Sequence, residues 1–312
     1  MNKPTIGVLV MSYGTPESME QVEAYYTHIR RGRPPEPEQL KELENRYAAI
    51  VGGVFPLREN TNQQVAALQS MLDEQYPDYN FRCYQGMKHA GPFIEDGVTA
   101  MAHDGIQVAV GVVLAPHYSA MSVGSYIKRA KDTANEQMIA MTFVQQYHLH
   151  PFVLQALTER IEAALNQFAV HREEVRVLFS AHSLPQHVVE GGDPYAEQML
   201  ETSRALAEAT GHNNWQFVWQ SAGQTAVPWL GPDILDVMRT IRTEEQVKHV
   251  LICPIGFVSD HLEVLYDIDI ECKQLAEKLG MVLKRTKSLN SDPLYMKTLS
   301  DVIMTAYKEG SQ

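Results

Sequence analysis

The sequence has 312 residues, of which 45% are hydrophobic and 21% charged, a composition typical of a globular protein that can bury a core without disulfides. The formal net charge of −12 argues against a general nucleic-acid binder, because phosphate contacts require a basic surface. Three cysteines, with no C-x-x-C pair among them, argue against a disulfide framework, an iron–sulfur cluster and a zinc site built from cysteines.

The sequence predicts neither a targeting segment nor a membrane-spanning segment. The apolar stretch from Ile6 to Met11 is too short for the hydrophobic region of a signal peptide. No run of about 18 apolar residues is found elsewhere. We therefore expect a cytoplasmic protein, with peripheral membrane contact left open.

Short apolar runs alternate with longer stretches of helical periodicity along the chain. In the first half the pattern predicts strands at 6–11, 81–84 and 108–114, and helices at 17–31, 37–50, 60–76, 92–103, 122–137 and 152–168. In the second half it predicts strands at 175–180, 216–219 and 250–253, and helices at 195–209, 233–242, 261–279 and 292–308. Strands separated by longer helices indicate βαβ units and a largely parallel sheet, and therefore an α/β protein.

The two halves of the chain share a weak internal repeat. VLVMSYGTP at 8–16 resembles VLFSAHSLP at 177–185, and VVLAPHYS at 112–119 resembles LICPIGFVS at 251–259. In each case a strand leads into a loop of small or polar residues, and such loops line the ligand crevice of open α/β sheets. The repeat predicts two similar α/β domains with parallel sheets facing a central cleft. We expect them to span 1–170 and 171–312, with the final helix packing on either one.

His182 is the first candidate for chemistry, because it directly follows a predicted strand and precedes Leu184-Pro185. That position places the imidazole at the ligand crevice. The competing interpretation is a histidine that only satisfies a loop carbonyl.

A ladder of carboxylates follows in the predicted helix 261–279. Glu263, Asp267 and Glu271 are spaced i, i+4 and i+8, so they lie on one helix face, where like charges repel. Either the face is well solvated, or a cation neutralises it. Oxygen ligands together with an imidazole suit first-row divalent cations such as Fe(II), Co(II) and Zn(II).

Basic residues beside aromatic residues form the third signal. Cations at the end of a helix also compensate the helix dipole, but three arginines within four residues exceed that need. Arginine forks suit carboxylates or phosphates. The candidates are Arg30, Arg31, Arg33, Arg46, Tyr47, Lys88 and His89. No nucleotide-binding glycine motif follows any predicted strand.

At these residues the sequence closely resembles the ferrochelatases over essentially the whole chain. Three blocks carry the resemblance: HSLP at 182–185 with GDPY at 192–195, WQS at 219–221 with WLGP at 229–232, and GFV at 256–258 with DHLEVLYD at 260–267. The resemblance implies two Rossmann-like, chelatase-type domains and an enzyme that inserts ferrous iron into a porphyrin. It is greatest to the enzymes of Gram-positive bacteria that use coproporphyrin III.

The resemblance also implies roles for individual residues. His182 and Glu263 correspond to the catalytic and metal-binding pair, with Asp267 and Glu271 as an outer relay that could also hold a second divalent cation such as Mg²⁺. Tyr13 corresponds to the axial ligand of the product iron. Residues implied to face a substrate with four propionates are Arg30, Arg31, Arg46, Lys88 and Tyr126, beside Tyr47 and His89. We expect no organic cofactor, a monomer, and transient contacts with neighbouring haem-pathway enzymes.

The chain departs from the family pattern at several positions: Val51, Phe55, Ala222, Ile268 and Ile270. Other functions also stay open. They include a protoporphyrin IX ferrochelatase, a cobalt or nickel chelatase for another tetrapyrrole, a haem carrier without catalysis, and a two-domain sugar- or nucleotide-binding protein.

Overall fold

A computed structural model describes residues 3–50, 55–223 and 225–310 of the protein. The described residues contain eight strands, β1 to β8, which are Thr5–Ser12, Asn80–Met87, Val108–Val113, Ala140–Phe143, Val175–His182, Trp215–Gln220, His249–Cys253 and Val282–Arg285. Their α-helices, α1 to α12, are Val22–Ile29, Pro37–Ile50, Pro56–Gln75, Ile94–His103, Val123–Glu136, Pro151–Leu165, Gln186–Glu190, Tyr195–Thr210, Ile234–Thr243, Leu262–Leu265, Lys273–Leu279 and Pro293–Gly310.

The chain divides into two compact units, Met1–Tyr147 with Asn290–Gln312, and His148–Leu289. Each contains a four-stranded parallel sheet, in the order β2-β1-β3-β4 and β6-β5-β7-β8. The two orders are equivalent, so the fold is α/β with two sheets of the same topology, as expected. β1 and β5 occupy the same place in their sheets, as do β3 and β7, and these are the strands that carry the internal repeat.

The central strands are buried because helices cover both faces of each sheet. β1 reads as a continuous apolar run, which is typical of parallel strands buried on two sides. In the second unit, Val177 and Phe179 of β5 pack in a core with α6 and α8, whereas Leu178 packs in a second core with α9 and α11. Burial of each such side chain contributes about 1.5–3 kcal/mol.

The sequence places the domain boundary near residue 170, whereas the units of the structure divide between residues 147 and 148. Helix α6 accounts for the difference, because Ile161, Ala164 and Leu165 belong to the core on β5. The final helix α12, assigned by the sequence to either domain, lies in the first unit and packs on α3, β3 and β4.

The sequence analysis does not predict two of the strands, β4 and β8. β4 and β8 are edge strands of four residues, and each contains only half-buried and exposed positions. They therefore lack the buried apolar run by which the central strands are recognised.

The predicted helix 17–31 is shorter in the structure, since it begins with a 3₁₀ turn at Met19–Gln21 and ends where Arg31 and Gly32 adopt positive φ.

The predicted helix 261–279 is interrupted by a π-helical turn at Asp267–Cys272, between α10 and α11. Here the backbone N–H of Glu271 donates to the carbonyl of Tyr266, five residues earlier.

Within the described ranges, no helix combines the length and the apolar character needed to cross a membrane.

Candidate active site

His182 is the last residue of β5, at the carboxyl end of the central strand of its sheet. Its Nδ1 donates a hydrogen bond to the Ser183 carbonyl. With Nδ1 engaged in this hydrogen bond, Nε2 is the ring nitrogen that can act as a base or a metal ligand. The hydroxyl of Tyr195, buried under the loop, donates to the His182 carbonyl over 3.2 Å and holds the strand end in place.

Glu263 lies on α10, in the segment that follows the neighbouring strand β7. Its carboxylate is 3.5 Å from Nε2 of His182, and both side chains are about one-third exposed. The predicted pair is therefore brought together by the fold, from positions 81 residues apart in the chain. A second histidine flanks the same carboxylate, with Nε2 of His261 at 3.7 Å.

The two imidazoles face the Glu263 carboxylate with their Nε2 atoms. Nδ1 of His261 donates to the Ser259 carbonyl over 2.9 Å, so this ring, like that of His182, turns Nε2 toward Glu263. Two imidazole lone pairs facing a carboxylate repel it unless a proton or a metal ion lies between them. Burial alone would lower the pKa of His261, but the carboxylate of Glu263, the Ser259 carbonyl and the charge of Asp267 raise it above its ordinary value.

Gln220, at the end of β6, supports Glu263 from the other side. Its buried amide accepts a hydrogen bond from the Ser180 hydroxyl over 2.8 Å and donates to the backbone carbonyl of Glu263 over 3.0 Å. The ends of β6 and β5 and the helix α10, which follows β7 in the chain, thus meet at the His182–Glu263 pair. This is the edge where α/β sheets bind ligands.

The carboxylate ladder is not a uniform face. Asp267 is 6% exposed and accepts a hydrogen bond from the hydroxyl of Ser221, a residue with a φ of 58°. Glu271 is half-buried on the π turn. Because Asp267 is buried, the solvated-face interpretation does not hold for the centre of the ladder.

Among the described residues, no group of three or more histidine, cysteine, aspartate or glutamate side chains converges closely enough to hold a metal ion by itself. Cys272 lies beside the ladder, but burial and then the charges of Asp267 and Glu271 raise the pKa of its thiol. The thiol of Cys272 is therefore protonated in the absence of a metal ion. His182 and Glu263 offer one nitrogen and one carboxylate group 3.5 Å apart.

Tyr13 follows the end of β1 in the first unit, and its side chain is 43% exposed. Long side chains anchor the loop that carries it. The hydroxyl of Tyr25 donates to the Gly14 carbonyl over 3.0 Å, and Arg58 donates to the Thr15 carbonyl over 3.1 Å. Tyr47, 3% exposed, is 3.3 Å from the Thr15 hydroxyl, so the structure places Tyr47 beneath the loop and not on its surface.

Lys88 and His89 follow β2, which pairs with β1, and therefore lie next to Tyr13. The rings of Tyr13 and His89 are 4.7 Å apart, and the ammonium group of Lys88 lies 5.0 Å from the ring of the buried Tyr126. Burial and the positive charges of Arg129 and Arg31 lower the pKa of Lys88 to about 8. Burial and Lys88 lower the pKa of His89 to about 3, so this ring is neutral at physiological pH.

The remaining predicted basic residues differ in their exposure and in the contacts they make. Arg31 is exposed and close enough to influence Lys88. Arg30 donates to Gln39 over 3.0 Å and lies 5.6 Å from the ring of Tyr26. Arg46 is half-buried on α2.

The departures from the family pattern have different surroundings. Phe55 is buried with its ring 5.1 Å from that of Tyr47, and Ile268 is fully buried in the core of the second unit. Ile270 is half-buried, and Ala222 is exposed. Val51 lies outside the described residues.

Sequence reasoning missed three supporting residues. His261 and Gln220 stand inside motifs that were singled out, and a buried glutamine at the end of a strand is itself a signal of a polar site. Arg129 has no such signal. It forks onto Glu95 at 2.6 and 2.7 Å and donates to the Lys88 carbonyl over 2.7 Å, contacts that depend on tertiary structure.

Comparison with known proteins decides the family. The family model described as ferrochelatase matches residues 5–307. The chain belongs to the ferrochelatase family.

Ferrochelatase relatives match over nearly their full lengths. The coproporphyrin III ferrochelatase of Oceanobacillus iheyensis is 44% identical over 309 residues, covering 99% of each chain. The coproporphyrin III ferrochelatase of Staphylococcus epidermidis is 43% identical over 303 residues, covering 96% of this chain and 98% of the relative.

Solved structures of chelatases share the ferrochelatase fold at low sequence identity. SirB from Bacillus subtilis with Fe³⁺ matches with a TM-score of 0.62 and 13% identity, covering 99% of this chain and 98% of SirB. The sirohydrochlorin chelatase SirB from Bacillus subtilis subspecies spizizenii, in complex with cobalt, matches with a TM-score of 0.57 and 12% identity, covering 98% and 95%. These likenesses establish the chelatase fold.

Proposed function

We propose that the protein inserts ferrous iron into coproporphyrin III, giving Fe-coproporphyrin in haem biosynthesis. The observation that carries the proposal is the His182–Glu263 pair, 3.5 Å apart, in which His182 ends β5 and Glu263 lies on α10, in a chain of the ferrochelatase family. The names of the relatives support coproporphyrin III as the substrate.

The pair has a separation suited to holding an incoming metal ion. Metal–nitrogen and metal–oxygen bonds of about 2.0–2.2 Å at a tetrahedral ion place two ligand atoms about 3.4 Å apart. The observed 3.5 Å requires little movement. A porphyrin supplies four nitrogen ligands, so two protein ligands can pass the ion on without competing for it.

Metal insertion also releases two pyrrole N–H protons, which need acceptors. Nε2 of His182 and the carboxylate of Glu263 are both bases when no metal is bound, and they can take these protons in turn. Holding the macrocycle distorted exposes its nitrogen lone pairs and lowers the barrier. Each of the two residues can bind the ion first and accept a proton once the ion has passed to the porphyrin.

Residues of the first unit are proposed to recognise the porphyrin. Lys88 and Arg31 lie near each other and suit the negative charge of propionates, with Arg30 and Arg46 as further candidates. Tyr126 orients the Lys88 ammonium group, and Tyr47 supports the loop that carries Tyr13. Tyr13 is proposed to ligate the iron of the product through its phenolate oxygen.

The ladder is proposed to feed iron toward the His182–Glu263 pair. Asp267 and Glu271 belong to the same helical segment as Glu263, and they could also hold a second divalent cation such as Mg²⁺. Transient contact with neighbouring haem-pathway enzymes, a monomeric state and a cytoplasmic location complete the proposal.

The test is a metallation assay with purified protein under anaerobic conditions, supplied with Fe(II) and either coproporphyrin III or protoporphyrin IX. Loss of the free-porphyrin absorbance bands should be much faster with coproporphyrin III. Preferential metallation of protoporphyrin IX would overturn the substrate assignment. Binding of the iron porphyrin without metallation of either free porphyrin would instead indicate a carrier.

A further inference from the structure

Arg285, the last residue of edge strand β8, makes an unusually complete set of hydrogen bonds. Its Nε and Nη2 donate to the two carboxylate oxygens of Asp269 over 2.7 and 2.8 Å. Its Nη2 is also 3.2 Å from Oδ1 of Asp260, and its Nη1 donates to the Thr286 carbonyl over 3.0 Å. The side chain is 15% exposed.

The two aspartates bound by Arg285 bracket the candidate active-site segment. Asp260 directly precedes His261, and Asp269 lies in the middle of the π turn, so Glu263 and Asp267 fall between them. The hydroxyl of Ser288 donates to the same Asp260 oxygen over 2.8 Å. We call the contacts of Arg285 with Asp269 and Asp260, together with this hydrogen bond, the clamp. One guanidinium thus joins both ends of a ten-residue segment.

The segment needs such a clamp because of its charge. Five carboxylates occur within residues 260–271, namely Asp260, Glu263, Asp267, Asp269 and Glu271. Like charges at this spacing repel and favour a looser segment. Arg285 binds two of them, Asp260 and Asp269, while Glu263 lies 3.5 Å from His182.

We propose that Arg285 is a positioning residue for metal insertion, which holds the segment 260–269 so that Glu263 stays within reach of His182. This inference rests on the proposed function. The planar fork of arginine is essential to it, because only bidentate pairing fixes the orientation of Asp269 while a third contact reaches Asp260. Lysine keeps the charge but cannot make these contacts together.

The test compares Arg285→Lys with a matched control, Arg172→Lys. Arg172 also forks onto a glutamate, Glu162, at 3.0 and 3.4 Å, and donates to the Thr210 carbonyl over 2.8 Å. It belongs to the same unit and makes no contact with the proposed machinery. Both variants lose one fork and keep one positive charge.

For Arg285→Lys we expect turnover in coproporphyrin metallation to fall about 10- to 100-fold, the size typical of groups that orient metal ligands. The KM for coproporphyrin should stay within about twofold, because the porphyrin contacts are untouched. Hydrogen–deuterium exchange should speed up over residues 260–272 in this variant alone. Arg172→Lys should keep the turnover of the unaltered protein.

Unchanged turnover or unchanged exchange in Arg285→Lys would overturn the proposal, as would equal losses of turnover in both variants. Zn(II) binding in the absence of porphyrin, measured by calorimetry, distinguishes a failure of the positioning role of Arg285 from a failure of the proposed function. If the unaltered protein metallates neither porphyrin, the function is wrong. Zn(II) binding that is weakened by Arg285→Lys and not by Arg172→Lys would still support the clamp, and equal binding would reject it.

Discussion

At the scale of single residues, the geometry of His182 is compatible with both interpretations that the sequence leaves open. A loop histidine that satisfies a carbonyl and a histidine that binds a metal are competing interpretations of one position. The ring does the first through Nδ1, which donates to Ser183, and thereby presents Nε2 for the second. The hydrogen bond to the loop is the device that selects the tautomer.

Tyr13 offers a test at the same scale. Tyr13→Phe should weaken binding of Fe-coproporphyrin and change its absorption spectrum, with a smaller effect on iron-free coproporphyrin, because a phenolate can bond only when iron is present. Spectral titrations of both porphyrins measure this. Tyr79→Phe is the control, since Tyr79 precedes β2 at the opposite end of the strand. If Tyr13→Phe leaves product spectrum and affinity unchanged, Tyr13 is only part of the pocket wall.

Lys88 predicts a pH dependence of substrate binding. Its pKa is lowered to about 8 by burial and by Arg129 and Arg31, so its charge is lost at a lower pH than for an ordinary lysine. The KM for coproporphyrin should therefore rise as the pH increases from about 7 to about 9.5. In Lys88→Arg, which stays charged over this range, that rise should disappear. The same rise in both proteins would show that another group is responsible.

At the scale of elements, the acidic segment shows what periodicity can and cannot predict. The spacing of Glu263, Asp267 and Glu271 predicts one helix face, and the three do lie in one helical segment. The π turn is not visible in the spacing, and Asp269 within it accepts a hydrogen bond from Arg285 of β8, a contact that the local sequence does not predict. π turns of this kind occur frequently at functional sites.

The ladder yields a graded prediction for three nearly isosteric substitutions. Glu263→Gln should abolish turnover at every iron concentration, since it removes a group that acts on the ion. Asp267→Asn and Glu271→Gln should raise the iron concentration for half-maximal rate and leave the saturated rate largely intact. Without metal, their stability should be equal or slightly higher, because like-charge repulsion is relieved. Steady-state kinetics against iron and thermal unfolding measure these effects.

Two other results would reject the relay. If Asp267→Asn and Glu271→Gln respond to iron like the unaltered protein, these two carboxylates carry no iron. If all three substitutions reduce the saturated rate equally, the carboxylates form one shared site.

At the scale of the whole molecule, the internal repeat predicts more than any single element does. Strands β1 and β5, which carry the repeat, are indeed the corresponding strands of two equivalent sheets. In the aligned segments Tyr13 and His182 occupy the same position, directly where the strand ends. The same structural position thus carries a phenol in one unit and an imidazole in the other.

The sequence predicts least where long-range packing decides the outcome. The central strands are recognisable because they are buried on both faces, whereas the edge strands β4 and β8 are not. The proximity of His182 and Glu263 could be predicted from their motifs. The contacts of Arg129 and Arg285 could not, because they form only when separate elements meet.

The central claim is that the enzyme uses His182 and Glu263 to insert iron into coproporphyrin III. The most direct measurement is single-turnover metallation of coproporphyrin III by His182→Ala, followed by absorbance, with His187→Ala as the control. His187 is an exposed residue of α7, five positions further along the chain. His182→Ala should bind the porphyrin and remain folded but insert no iron, whereas His187→Ala should keep the rate of the unaltered protein. A rate for His182→Ala within a few-fold of the unaltered protein would contradict the claim.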